Sequence, residues 1–137
     1  MQKRTRRVFL LLVCAQLAHS VEEFASGFYE VLAPARYLVG LVSTDPAVGF
    51  AVLNTAVVGI GFLCYLIPIR SGHRSARGVA WVWAVLELVN GAGHSTLALS
   101  RLDYYPGALT APLLIGAAVW LAVLLRRSRD GADQQPR

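Results

Sequence analysis

Charged residues are scarce in this chain. Asp, Glu, Lys and Arg make up 15% of its 137 residues, against about 25% in a soluble domain. That shortfall excludes an ordinary water-facing globular surface. Cysteine is scarcer still: Cys14 and Cys64 are the only two, each inside an apolar run and not in a C-x-x-C arrangement. Their number and placement exclude a disulfide framework and a dithiol redox motif, so they read as small residues of helix packing. No glycine-rich phosphate loop or dinucleotide fingerprint occurs, so no nucleotide cofactor is expected. The net charge is +5, yet no basic stripe carries interleaved aromatics, which argues against a nucleic-acid partner.

What the chain has in abundance is apolar length. Hydrophobic residues make up 55%, and the mean hydropathy is +0.51. Four segments stand out: Val8–Tyr29, Ala47–Ile69, Val79–Leu99 and Ala108–Leu125. A helix needs roughly 20 residues to cross a bilayer core, and all four qualify, the last only just. Breakers agree with these limits: Pro34 and Asp45-Pro46 bracket the first connection, Pro68 and Ser71-Gly72 end the second segment, and Pro106-Gly107 precede the fourth. The basic start followed by Val8–Leu17 has the outline of a signal peptide. No small-x-small cleavage site clearly follows, so the segment is read as a retained membrane helix.

The expected fold is all-α: a four-transmembrane-helix bundle over residues 1–129, then a polar, disordered tail over 130–137. Lys3, Arg4, Arg6, Arg7, Arg70, Arg74, Arg77, Arg126, Arg127, Arg129 and Arg137 fall on one side of such a bundle, and only Arg36 and Arg101 on the other. That bias puts both termini in the cytoplasm of a cell whose cytoplasmic membrane holds the protein. The outer connection Glu30–Pro46 contains Tyr37–Val42, apolar but too short to span, and is expected at the interface or over the bundle. Trp81, Trp83 and Trp120 read as an interfacial belt.

Ionisable residues inside two of the apolar segments carry the functional signal. The first segment holds His19-Ser20-Val21-Glu22-Glu23, and the third holds Glu87, Asn90 and His94. Charged groups in hydrocarbon cost about 2.5–3.5 kcal/mol each at a helix centre, so their default meaning is a buried polar site. At 100° per residue, Glu22 and Glu23 lie about −60° and +40° from His19, while Asn90 and His94 lie about −60° and −20° from Glu87. Each set therefore makes one stripe. Glu23 and His94 also stand equally far from the starts of their segments, and Asn54 on the second segment is placed to reach the same depth. The expected site is a pocket in the outer half of the membrane. His19, Glu22, Glu23, Glu87, His94 and Tyr104 are its candidate catalytic residues, with Asn54 and Asn90 as substrate-binding residues.

His19-Ser20-Val21-Glu22-Glu23 is an H-x-x-E-E motif, a later histidine stands at His94, and Tyr104-Tyr105-Pro106-Gly107 reads as Y-x-P-G. The ordered set resembles the HXXEE family of small bacterial integral membrane proteins, whose function is unknown. The resemblance spans His19 to Gly107. It implies that His19, Glu22, Glu23, His94 and Tyr104 are functional positions, and it names no reaction.

The residues suit three kinds of work. One is acid–base catalysis on a lipophilic, isoprenoid- or polyketide-like molecule, with Glu22 or Glu23 as acid and His19 or His94 as base. Its variant places one or two divalent transition metals on His19, Glu22, Glu23, Glu87 and His94. The second is a proton, metal-ion or small-molecule transporter, which with four spans and no inverted repeat would need a homo-oligomer. The third is a lipid- or metal-binding accessory protein. In every case the bilayer is the chain's first partner.

Overall fold

The computed structural model describes residues 1–133, with side chains to Ser128. Every regular element in it is helical. Four long helices carry the architecture: α1 (Lys3–Ala25), α4 (Pro46–Cys64, continued by a π-helical turn over Tyr65–Ile69), α5 (Ala76–Arg101) and α6 (Ala111–Asp133). Two short ones, α2 (Phe28–Val31) and α3 (Ala33–Gly40), lie in the first connection. Three stretches are long and apolar enough to cross a membrane: Lys3–Ala25, Pro46–Ile69 and Ala111–Ser128. Helix α5 is 26 residues long, but Glu87, Asn90, His94 and its glycines lower its hydropathy below theirs.

The boundaries follow local chemistry. Helix α1 stops short of Tyr29 because Ser26 turns its hydroxyl back onto the Glu22 carbonyl at 2.6 Å and Gly27 takes φ +69°. Glycine reaches that left-handed conformation without a Cβ penalty. Pro34 does not merely bracket the connection; it sits in the first turn of α3, where its missing N–H costs nothing. Asp45 caps α4, its Oδ1 accepting from Ala47 and Val48 at 2.9 and 3.3 Å. Pro68 has no N–H to offer the Cys64 carbonyl, and the chain widens into the π turn there. Helix α6 continues to Asp133, into the segment expected to be a disordered tail; residues 134–137 lie outside the described residues.

The buried face of α1 runs through Phe9, Leu12, Val13, Gln16, His19 and Glu23, and that of α5 through Ala80, Ala84, Glu87, Gly91 and His94. Both have the i, i+3/i+4 spacing of one helical face. Their apolar halves meet Leu114, Ala117, Ala118, Leu121 and Leu125 of α6 in one core. Helices α5 and α6 share the most extensive contact, with Gly91 set against the Ala111 carbonyl and Leu114. Small residues that let backbones meet are the usual packing device between membrane helices. Trp83, expected in the interfacial belt, is instead core: it is 7% exposed and lies against Phe9, 6.3 Å between centroids, and against Gly61. Trp120 does face outward, beneath the Arg4 guanidinium, and Cys14 is exposed. The outward faces carry Val21, Ile60, Leu63, Ile67, Val82 and Val89.

Helix α4 leans on α1 and α3, and along its α-helical length it touches α5 only locally, where Gly61 meets Trp83; its π turn meets α5 more fully. Its contact with α3 depends on Gly49, where a Cβ would strike the Val39 carbonyl. Gly49→Val is therefore expected to destabilise the fold by about 1–3 kcal/mol. Gly59→Ala, which has open space around it, is expected to leave stability unchanged or raise it slightly. Thermal unfolding in detergent compares the two, and equal effects would show that the α3–α4 contact carries no weight.

Candidate functional site

The site lies where α1 and α5 meet the turn Leu102–Thr110 that leads into α6. The turn needs positive φ at Leu102 (51°) and Gly107 (85°). Gly107 has a second requirement: a Cβ there would stand 2.6 Å from His94 Nδ1 and 2.7 Å from His19 Cε1. The glycine backbone is thus laid directly against both imidazoles.

Each imidazole is oriented by its Nδ1. His94 Nδ1 is 2.6 Å from the Pro106 carbonyl, which only accepts, so Nδ1 carries the proton and donates. His19 Nδ1 is 2.7 Å from Thr110 Oγ1. That hydroxyl gives its own proton to Glu22 Oε2 at 2.6 Å, so it accepts from His19. In both neutral rings Nε2 is then left with a lone pair. Both Nε2 atoms are aimed at one oxygen: Glu23 Oε1 is 3.1 Å from His94 Nε2 and 3.6 Å from His19 Nε2. The rings stand edge to face, 4.6 Å between centroids. His19, Glu23 and His94 are each 5% exposed or less, and His19 Nε2 has no hydrogen-bond donor. Three acceptors meeting out of water repel one another unless a cation, either a proton or a metal ion, lies among them.

The two adjacent glutamates have different surroundings. Glu22 does not enter this centre. Its carboxylate accepts from the backbone N–H groups of Leu109 and Thr110 at 3.0 and 2.8 Å, from Thr110 Oγ1, and from the Tyr104 hydroxyl at 3.0 Å. It holds the approach to α6 and, through Thr110, the tautomer of His19. Tyr104 is half exposed and touches Glu22 rather than the imidazoles. Its neighbour Tyr105 is the fully buried one, 5.9 Å from the His94 ring and 6.1 Å from Phe28 between centroids. Its hydroxyl has no partner among the described residues. Burial pushes that phenol above its ordinary pKa, which keeps it protonated and able to donate.

Glu87 forms a second polar group further along α5. It stands seven residues before His94, about 10 Å along the helix axis, and is buried. The Gln16 amide reaches it at 2.5 Å and reaches Ser20 Oγ at 3.1 Å. Ser20 Oγ lies 3.0 Å from Asn54 Oδ1, and Asn90 Nδ2 lies 3.4 Å from the Gln16 amide. Two proton arrangements satisfy this chain. A protonated Glu87 donates to the amide oxygen, Gln16 then donates to Ser20, and Ser20 to Asn54. Alternatively an ionised Glu87 accepts from the Gln16 N–H and Ser20 donates to the amide oxygen, with the Asn54 and Asn90 amides turned so that Asn54 donates to Ser20 and Asn90 accepts from Gln16. Of the residues expected from the sequence, then, His19, Glu23 and His94 converge. Glu87, Asn54 and Asn90 belong to the Gln16–Ser20 group, and Glu22 with Tyr104 belong to the turn. The residues that the sequence reading passed over are Thr110, Tyr105, Ser20 and the Pro106 carbonyl. Ser20, Tyr105 and Pro106 lay within motifs but at their unspecified or backbone positions, and a backbone carbonyl has no signature of its own.

Two cavities flank Gln16 and Asn90 in the gap between α4 and α5. One, about 380 Å³, is lined by Phe28, Leu38, Phe50, Leu53 and Asn54 and reaches Glu23. The other, about 460 Å³, is lined by Val57, Ile60, Trp83, Leu86 and Glu87. Comparison of the chain with protein-family models, with curated proteins and with solved structures finds no match.

Glu22→Gln replaces one carboxylate oxygen by a donor that faces the N–H group of either Leu109 or Thr110, and it removes the charge that assists both bonds. Loss of charge-assisted bonds of this kind costs about 1–3 kcal/mol. The variant is expected to unfold at lower temperature and to exchange the Leu109 and Thr110 amides faster, whereas Tyr104→Phe should change either by little. Unchanged amide exchange in Glu22→Gln would show that the carboxylate does not hold the turn.

Proposed function

We propose that this chain is an integral membrane enzyme that carries out acid–base chemistry on a lipophilic substrate at His19, Glu23 and His94. The observation that carries the reading is the pair of Nε2 atoms facing one Glu23 oxygen inside an apolar bundle. A proton held among three acceptors is one that can be transferred, with Glu23 as acid and an imidazole as receiver. Glu22 is assigned a positioning role, because donors already occupy both of its oxygens. The lipophilic substrate is inferred from the cavity that reaches Glu23, whose walls, drawn from α2, α3 and α4, are mostly apolar. An isoprenoid- or polyketide-like molecule with one hydrogen-bonding group would match those walls and the amides of Gln16, Asn54 and Asn90.

The proposal includes four spans, with α5 as the fourth, both termini in the cytoplasm and residence in the cytoplasmic membrane. It rests on the three apolar helices, on the length of α5 and on the eleven-to-two distribution of Lys and Arg. Membership of the HXXEE family is part of the same proposal. A conduit is less well supported, because the half of the bundle around Phe9, Leu12, Val13 and Leu121 is a packed apolar core.

Alkaline phosphatase fused after Asp103 is expected to be active outside the cytoplasm, and the same fusion after Arg74 inactive; the reverse pattern would overturn the orientation. For the chemistry, membranes of a bacterial host expressing wild type, Glu23→Gln or His94→Gln at equal levels are extracted and profiled by mass spectrometry. A lipophilic product is expected with the wild type, and roughly a hundredfold less with either variant, the size of a typical general acid–base contribution. Indistinguishable extracts would sink the enzyme reading.

A further inference from the structure

We propose that His19 Nε2, His94 Nε2 and Glu23 Oε1 are the protein ligands of a single divalent transition-metal ion, with a fourth position turned toward the cavity that reaches Glu23. This rests on the reading of the chain as a membrane enzyme with a lipophilic substrate, and it puts a metal ion in place of the transferable proton at the same three atoms; the ion and the enzyme activity can fail separately.

Four features point to a metal ion as the cation. First, the spacing fits. A tetrahedral ion with bonds of about 2.0–2.1 Å holds its ligand atoms ~3.3 Å apart. Here the two Nε2–Oε1 separations are 3.1 and 3.6 Å, and all three atoms lie within 4.8 Å of one another. Second, His19 Nε2 is completely buried, aimed into the centre and without a donor. A single proton between Glu23 and His94 would leave that nitrogen unsatisfied, whereas a metal ion satisfies all three atoms. Third, both Nδ1 atoms are already committed, to a carbonyl and to a hydroxyl. Metal-binding histidines almost always have such outer partners, which set the tautomer and orient the ring. Fourth, the charge balances: Glu23 supplies one negative charge at the ion, and Glu22 supplies another one residue away through Thr110.

Two imidazoles and one carboxylate are the ligand set of catalytic zinc and of non-haem ferrous iron. A two-metal centre is not supported among the described residues, since Glu22 and Glu87 are engaged elsewhere. Bound here, the ion would supply Lewis-acid polarisation of an oxygen-bearing group on the lipophilic substrate.

The test uses the full-length chain in detergent, tag removed and stripped with a chelator, then titrated with Zn(II) and separately with Co(II). One equivalent per chain is expected by elemental mass spectrometry, with the strong visible absorption of four-coordinate Co(II). Affinity is expected to fall at least a hundredfold in His19→Ala, His94→Ala and the nearly isosteric Glu23→Gln. It should fall about ten- to a hundredfold in Thr110→Val, the range for outer partners, with recovery in Thr110→Ser. His73→Ala, which alters the exposed third histidine, should bind as the wild type does. The proposal is overturned if the wild type takes up no stoichiometric metal, or if binding survives His19→Ala or His94→Ala, or if it is lost in His73→Ala. Wild-type binding alone is decisive if a variant fails to fold. A metal-free wild type that still makes the lipid product would remove the ion and keep the enzyme. Stoichiometric metal with no product would keep the ion and remove the enzyme.

Discussion

A polar atom among apolar helices must be met by a partner, and the centre of this protein follows from how that requirement is distributed. The two Nδ1 atoms take the Pro106 carbonyl and the Thr110 hydroxyl. With those bonds made, the two Nε2 atoms are committed as acceptors and turned onto Glu23. Everything else near the site keeps those two outer bonds in place. Gly107 lets the turn lie against the rings, Glu22 fixes Thr110, and the small residues along α5 and α6 bring the turn down onto α1.

Much of this was legible in the sequence because helices have a period. A 100° step puts His19 and Glu23 on one stripe of α1, and Glu87 and His94 on one stripe of α5. The same stripes continue as the apolar core at the other end of the helices. The all-helical character and the breaks at Asp45-Pro46 and Pro106-Gly107 followed from apolar length and those breakers, whereas the short helices α2 and α3 did not. What periodicity could not separate was Glu22 from Glu23. They lie about 100° apart on either side of His19, and which one faces the imidazoles depends on where α6 docks.

The departures have the same origin in tertiary structure. Tyr104 and Tyr105 are adjacent, and the path of the turn alone decides that Tyr105 is buried and Tyr104 reaches Glu22. Trp83 lies near the start of its apolar segment, as an interfacial residue would, but Gly61 opposite it leaves room for the indole and takes it into the core. Asn90, one turn before His94, meets Gln16, one turn before His19, and so belongs to the second polar group. Thr110 gave no signal: a threonine ahead of an Ala-Pro helix start reads as an ordinary cap.

Glu22 and Thr110 are separated by 88 positions, which has a consequence for the order of events during biogenesis. A ribosome delivers His19, Glu22 and Glu23 with the first hydrophobic segment, long before Thr110 exists. Until the last helix is made and docks, these side chains have neither the hydroxyl nor the amides that orient them. The centre therefore comes into being only once α6 has been made, and a chain truncated ahead of Thr110 would carry His19, Glu23 and His94 and no assembled site.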